Sequence, residues 1–88
     1  MKRILKWNIP YGSPCTMAAG RVLKADWQFQ APVIWVEYDS EVDDGLMEVT
    51  NFPTGQDFIL SPDMTHVGSI TSDHSCWHVY ADKQSRYR

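Results

Sequence analysis

Hydrophobic and polar residues alternate along much of this chain with a period of two residues. The alternation is clearest from Arg21 to Gln30, where Leu23, Ala25, Trp27 and Phe29 are separated by polar side chains. Successive side chains of a β-strand point to opposite faces, so this pattern predicts a strand with one buried face and one exposed face.

Shorter strand-like runs follow the same rule between segments rich in Gly, Pro, Asp and Ser. They cover Arg3–Ile9, Val33–Tyr38, Leu46–Phe52, His66–Thr71 and Cys76–Ala81. The second run is almost wholly apolar and rich in β-branched residues, which predicts the covered centre of the sheet. The segment Asp39–Gly45 ends in Asp-Gly and predicts a hairpin loop. The last two runs predict a closing hairpin.

No stretch of the chain shows a sustained helical period, so the sequence predicts an all-β fold. We expect a small single-domain sandwich or open barrel of six to seven short antiparallel strands. Residues 1–82 should form one β domain, and the polar residues 83–88 a flexible C-terminal tail. A chain of 88 residues can hold only one core, and self-association that adds stability is left open.

Charge and hydropathy narrow the class of partner. The formal net charge is -3, which argues against direct nucleic-acid binding through clusters of Lys and Arg. The longest apolar run, 31–36, is far too short to span a membrane, and Lys6 and Asn8 interrupt any leader segment near the start. We therefore expect a cytoplasmic protein in which Cys15 and Cys76 are free thiols.

Three residues near the C-terminus raise the question of metal chemistry. His74, Cys76 and His78 alternate, and imidazole and thiolate are zinc ligands. The alternative interpretation is a buried cysteine beside surface histidines. No phosphate loop or nucleophile-elbow motif is present. The sequence predicts a protein that is not an enzyme and needs no cofactor, with metal binding as an alternative function.

Two loops carry candidate binding residues. A small signalling nucleotide would find an aromatic ring and polar groups in the loop after the strand Leu46–Phe52, together with a basic side chain. The residues proposed for this site are Phe52, Thr54, Gly55 and Gln56, with Arg21 or Lys24 as the basic side chain. A protein that sequesters a signalling nucleotide in this way would hold its ligand at a subunit interface. The alternative interpretation is a plain connecting loop.

The second loop is acidic. Its four carboxylates are Asp39, Glu41, Asp43 and Asp44. Such a cluster imitates phosphates and suits a basic surface on a partner protein. A simple solvated loop is the alternative interpretation.

The order of short motifs resembles a small uncharacterised domain family that is widespread in phage and prophage genomes. The segments that carry the resemblance are Ile4–Ile9, Ala19–Leu23, Val33–Val36, Thr54-Gly55, His66–Ile70 and His78–Tyr80. The resemblance implies a phage origin and transfers no activity. It leads us to expect a non-enzymatic binding protein that inhibits a host or antiviral-defence component, such as a CRISPR-type system, in the cytoplasm of the infected cell.

Overall fold

A computed structural model of the protein describes residues 1–87, which form seven strands and one short 3-10 helix. The elements are β1 (Lys2–Asn8), β2 (Cys15–Ala18), β3 (Arg21–Gln28), β4 (Ala31–Asp39), β5 (Leu46–Pro53), β6 (Thr65–Thr71), β7 (Cys76–Ala81) and η1 (Gln84–Arg86). They make two antiparallel sheets with the strand orders β1-β4-β3 and β2-β5-β7-β6. The all-β prediction is confirmed in its sandwich form. Within residues 1–87 no helix has the length and apolar character needed to cross a membrane.

The strand predicted at the centre of a sheet is β4. It pairs with β1 on one side and β3 on the other. Val33, Ile34 and Val36 are at most 2% exposed, as expected for an apolar run covered on both faces.

The core lies between the two sheets. Ile34 and Val36 of β4 meet Val49, Ile70 and Val79 from three strands of the other sheet, and all five side chains are fully buried.

The sheets come closest where β3 faces β6. A Cβ atom added to Gly68 would lie 3.0 Å from the Cβ of Ala25, so this glycine permits the close approach of the two strands.

The alternation predicted for β3 holds only in its middle. A β-bulge between Val22 and Lys24 shifts the register, so Val22 takes the inner position and Leu23 is 39% exposed. Ala25 packs against the core as predicted. Phe29 instead lies in the turn before β4 with a φ of 51° and is 86% exposed.

The acidic segment after β4 does not close a hairpin. β4 pairs only with β1 and β3, whereas β5 pairs with β2 and β7. The residues between Asp39 and Leu46 therefore cross from one sheet to the other. The crossing lets Val36 and Met47 face the shared core from opposite layers. The predicted closing hairpin of β6 and β7 is confirmed.

The C-terminal segment predicted to be flexible packs against the sandwich as far as residue 87, and Arg88 lies outside the described residues. Gln84 is 9% exposed. Its side chain accepts a hydrogen bond from the Val22 amide at 2.8 Å and donates one to the Gly20 carbonyl at 2.8 Å. The polar Gln84 side chain thereby satisfies backbone groups at the start of β3.

Candidate functional site

The outer face of the four-stranded sheet gathers histidine, hydroxyl and aromatic side chains. Val79 of β7 points into the core, so its neighbours His78 and Tyr80 point outward. The strand register places Phe52 of β5 and Ser69 of β6 on either side of His78.

Four of these side chains form one continuous hydrogen-bonded chain. Thr54 Oγ1 lies 2.7 Å from His78 Nε2, and Ser69 Oγ lies 3.0 Å from His78 Nδ1. His66 Nε2 lies 3.2 Å from the same Ser69 oxygen. Thr54 also donates its hydroxyl proton to the Cys76 carbonyl, 3.3 Å away. We call Thr54, His78, Ser69 and His66 the histidine chain.

We assign the direction of the histidine chain from the contact between the Thr54 hydroxyl and the Cys76 carbonyl, because a carbonyl oxygen only accepts. Because the Thr54 hydroxyl donates to the Cys76 carbonyl, its oxygen is left to accept the Nε2–H of His78. The Nδ1 of His78 then accepts the Ser69 hydroxyl, whose oxygen accepts Nε2–H from His66. Every donor points the same way, and both ring nitrogens of His78 are engaged.

An aromatic cluster lies beside the histidine chain. The ring of Phe58, from the loop between β5 and β6, stacks on Phe52 with centroids 4.0 Å apart and an interplanar angle of 8°. Tyr80 contacts both rings at centroid distances of 5.9 and 6.0 Å. The next residue, Ile59, is 98% exposed. The stack therefore holds an apolar loop tip out in solvent.

The structure brings together part of the predicted nucleotide site. Phe52 and Thr54 lie next to one another on this outer face, Gly55 has a φ of 92° with open space around it, and Gln56 is exposed. Arg21 lies elsewhere. It lies in the three-stranded sheet, directly opposite Glu37 in the register of β3 and β4. There it lines a cavity of about 320 Å³.

Lys24 does not supply the basic side chain either, since its Nζ lies 5.4 Å from the centroid of the Trp35 ring in the three-stranded sheet. A single copy of the protein therefore does not bring the loop residues together with either of the predicted basic side chains.

The acidic loop uses most of its carboxylates internally. Asp39 accepts the Glu41 amide and Asp43 the Gly45 amide, each at 3.0 Å. The hydrogen bond from the Glu41 amide lowers the pKa of Asp39. The Glu41 side chain itself is 83% exposed.

Asp44 fixes the C-terminal segment. Its carboxylate accepts the Tyr87 hydroxyl at 2.7 Å and lies 3.3 Å from the Arg86 guanidinium. Burial and the hydrogen bond to Asp44 raise the pKa of Tyr87 to about 12. Of the four acids proposed as a contact surface, Glu41 has the most exposed side chain, and its carboxylate lies 3.9 Å from the N-terminal ammonium group.

The metal-binding alternative is not supported by the geometry. His74 lies in the turn between β6 and β7, and both ring nitrogens of His78 belong to the histidine chain. Residues 1–87 contain no group of three or more His, Cys, Asp or Glu side chains placed to hold a metal ion. Cys15 and Cys76 are not joined by a disulfide in the structure. Burial, followed by the charge of Glu48, raises the pKa of Cys15.

Sequence reasoning missed His66, Ser69, Phe58 and Ile59. His66 and Ser69 are three residues apart and would face opposite sides of a regular strand. A β-bulge between His66 and Gly68 turns both outward. The signal available in the sequence was Gly68 itself, because a glycine inside a strand-like run often marks a bulge.

These features define a class: a small antiparallel β-sandwich whose outer face carries a hydrogen-bonded polar chain and an exposed apolar loop. The chain belongs to the family described as Domain of unknown function (DUF7352), whose model matches residues 1–88. None of the curated proteins and none of the solved structures matches it.

Proposed function

We propose that this protein is a non-enzymatic, phage-type binding protein that inhibits a host or antiviral-defence component by stoichiometric binding. Its main contact is the loop between β5 and β6, with Ile59 at the tip. One observation carries the proposal: Ile59 is 98% exposed, while its neighbour Phe58 is stacked on Phe52. A large apolar side chain presented in this way suits a pocket on another protein.

The loop is held in shape from both ends. At its start, the Thr54 amide donates to the Cys76 carbonyl at 2.9 Å. At its end, the Met64 amide donates to the Ser61 carbonyl at 3.0 Å. With Phe58 packed between these points, the loop loses little conformational entropy when it binds. Preorganisation of this kind increases affinity without adding contacts.

The magnitude follows from the area that Ile59 would bury. Full burial of an isoleucine side chain contributes about 1.5–3 kcal/mol. A polar replacement at the centre of the contact would therefore weaken binding by roughly 10- to 150-fold, since each 1.4 kcal/mol is a factor of ten.

The test compares three tagged proteins in affinity capture from bacterial lysate, followed by titration of the purified partner. The wild type should retain one partner at a stoichiometric ratio, and Ile59→Asp should lose it. Phe29→Asp is the matched control, because Phe29 is 86% exposed in a turn of the other sheet. That variant should bind like the wild type. Undiminished affinity in Ile59→Asp would show that the loop is not the contact.

A separate variant tests whether the acidic loop is the contact surface. Glu41→Lys reverses the charge of an 83% exposed carboxylate and spares the hydrogen bonds of Asp39 and Asp43. We expect capture to survive this change. Loss of the partner in Glu41→Lys together with retention in Ile59→Asp would assign the contact to the acidic segment instead.

A further inference from the structure

The sandwich has four edge strands, and three of them carry features that discourage pairing with another chain. β3 and β6 each contain a β-bulge, and β2 has only four residues. β1 has seven residues and pairs with β4 in a continuous register without a bulge or a proline. An edge of this kind exposes a row of backbone donors and acceptors that can template a further strand.

Charged side chains commonly protect an edge, and the two lysines of β1 are directed away from this one, whereas Arg3 lines a cleft beside the strand. Lys2 Nζ lies 3.5 Å from a carboxylate oxygen of Glu37 on β4. Lys6 Nζ donates to Gln28 Oε1 of β3 at 2.6 Å and lies 5.5 Å from the Phe29 ring centroid. Both lysines therefore reach across their own sheet and do not cover the free side of β1.

The inner face of β1 adds exposed apolar surface. Leu5 and Trp7 are 37% and 40% exposed and line a cleft of about 450 Å³ with Tyr38. The indole Nε1 of Trp7 donates to the Tyr38 hydroxyl at 2.7 Å, which fixes the ring in the cleft wall. The cleft lies beside β1, which forms an edge of the three-stranded sheet.

We propose that β1 pairs antiparallel with β1 of a second copy of this chain about a two-fold axis at Leu5. The two three-stranded sheets become one six-stranded sheet, and the two apolar clefts join. In this register Leu5 lies opposite Leu5, and Arg3 lies opposite Trp7 of the second copy, where a guanidinium can stack on an indole. Lys2 faces Asn8, and Ile4 faces Lys6.

The charges of β1 favour this register, because it places no two cations directly opposite one another. The inner faces of the two β1 strands stay on the same side of the joined sheet only if their register is shifted by two residues at a time. One such move places Lys2 opposite Lys6, and the move in the other direction places Lys6 opposite Lys6. Like charges directly opposite destabilise a sheet. The register centred on Leu5 avoids both clashes, so the strand is self-complementary, as a two-fold interface requires.

Light scattering after size exclusion tests the association. The wild type should have twice the monomer mass of 10.1 kDa. Leu5→Lys places two cations on the axis and should raise the dissociation constant at least tenfold, giving a monomer. Leu23→Lys is the matched control, since Leu23 is 39% exposed on the bulged strand β3, and it should stay dimeric. A monomeric wild type, or a folded Leu5→Lys variant that remains dimeric, would overturn the proposal.

Oxidative cross-linking tests the register and does not depend on a lysine variant folding. Directly opposite positions have Cβ atoms about 5 Å apart, close enough for a disulfide after small adjustments. Leu5→Cys should give a covalent dimer joined through the introduced thiols, and Leu23→Cys should not. Equal cross-linking of both variants would refute the register.

The contact is independent of the proposed function, because it lies on the other sheet. Ile59→Asp should therefore keep the dimer mass even where it loses the partner.

Discussion

Replacing Gln84 with alanine removes a buried amide that joins the C-terminal segment to the sandwich. The amide accepts from the Val22 backbone N–H and donates to the Gly20 carbonyl, both at 2.8 Å. It also donates to the Asp82 carbonyl at 3.2 Å. Gly20 is buried and Val22 half-buried, so the alanine variant leaves a donor and an acceptor without their partners in a region that water reaches poorly.

The size of the effect follows from these two groups. A buried donor or acceptor left unsatisfied costs about 1–3 kcal/mol. The two together give a loss of roughly 2–4 kcal/mol, allowing for partial relaxation of the segment. A domain of this size has a total stability of about 4–13 kcal/mol, at 0.05–0.15 kcal/mol per residue. Gln84→Ala should therefore remove a large share of the folding free energy.

Urea denaturation followed by tryptophan fluorescence measures the change. With an m-value of about 2 kcal/mol per molar, the midpoint should fall by roughly 1–2 M. Gln56→Ala is the matched control, because Gln56 is exposed in a loop, and it should stay within about 0.5 kcal/mol of the wild type. If Gln84→Ala also stays within that range, the packed C-terminal segment contributes nothing to stability and the reasoning fails.

Three further predictions test the packing, the C-terminal anchor and the histidine chain. Gly20→Ala would place its Cβ 2.7 Å from a backbone oxygen of β4, so a loss of about 1–3 kcal/mol is expected in the same urea assay. In an ultraviolet titration Tyr87 should ionise near pH 12, and Asp44→Asn should lower its pKa. Because that folded pKa exceeds the ordinary value of 10.0, the contribution of Tyr87 to stability is complete below pH 10 and declines as the pH rises through 12. Thr54→Val should abolish the preference of His78 for the Nε2–H tautomer in long-range ¹⁵N NMR, whereas an unchanged tautomer would refute the assigned direction.

Local patterns in the sequence determined the strands and the faces that they bury. The apolar run of β4 lies in the central strand of its sheet, and its side chains Val33, Ile34 and Val36 are at most 2% exposed. Trp77, Val79 and Ala81 alternate inward along β7, as their period of two requires. The same parity placed His78 on the outer face. Such assignments depend on neighbours within one strand, and the sequence contains those neighbours.

Tertiary structure alone decided which strands pair and where the polar groups meet. The acidic segment crosses between sheets because Val36 and Met47 share one core, and local turn residues do not encode that. A bulge brings His66 and Ser69 to one face, beside Thr54 from a distant strand end. Gln84 is buried because backbone groups more than sixty residues earlier need its amide. Hydrogen bonds between residues far apart in the chain carry no periodicity, so they become visible only once the sheets are packed.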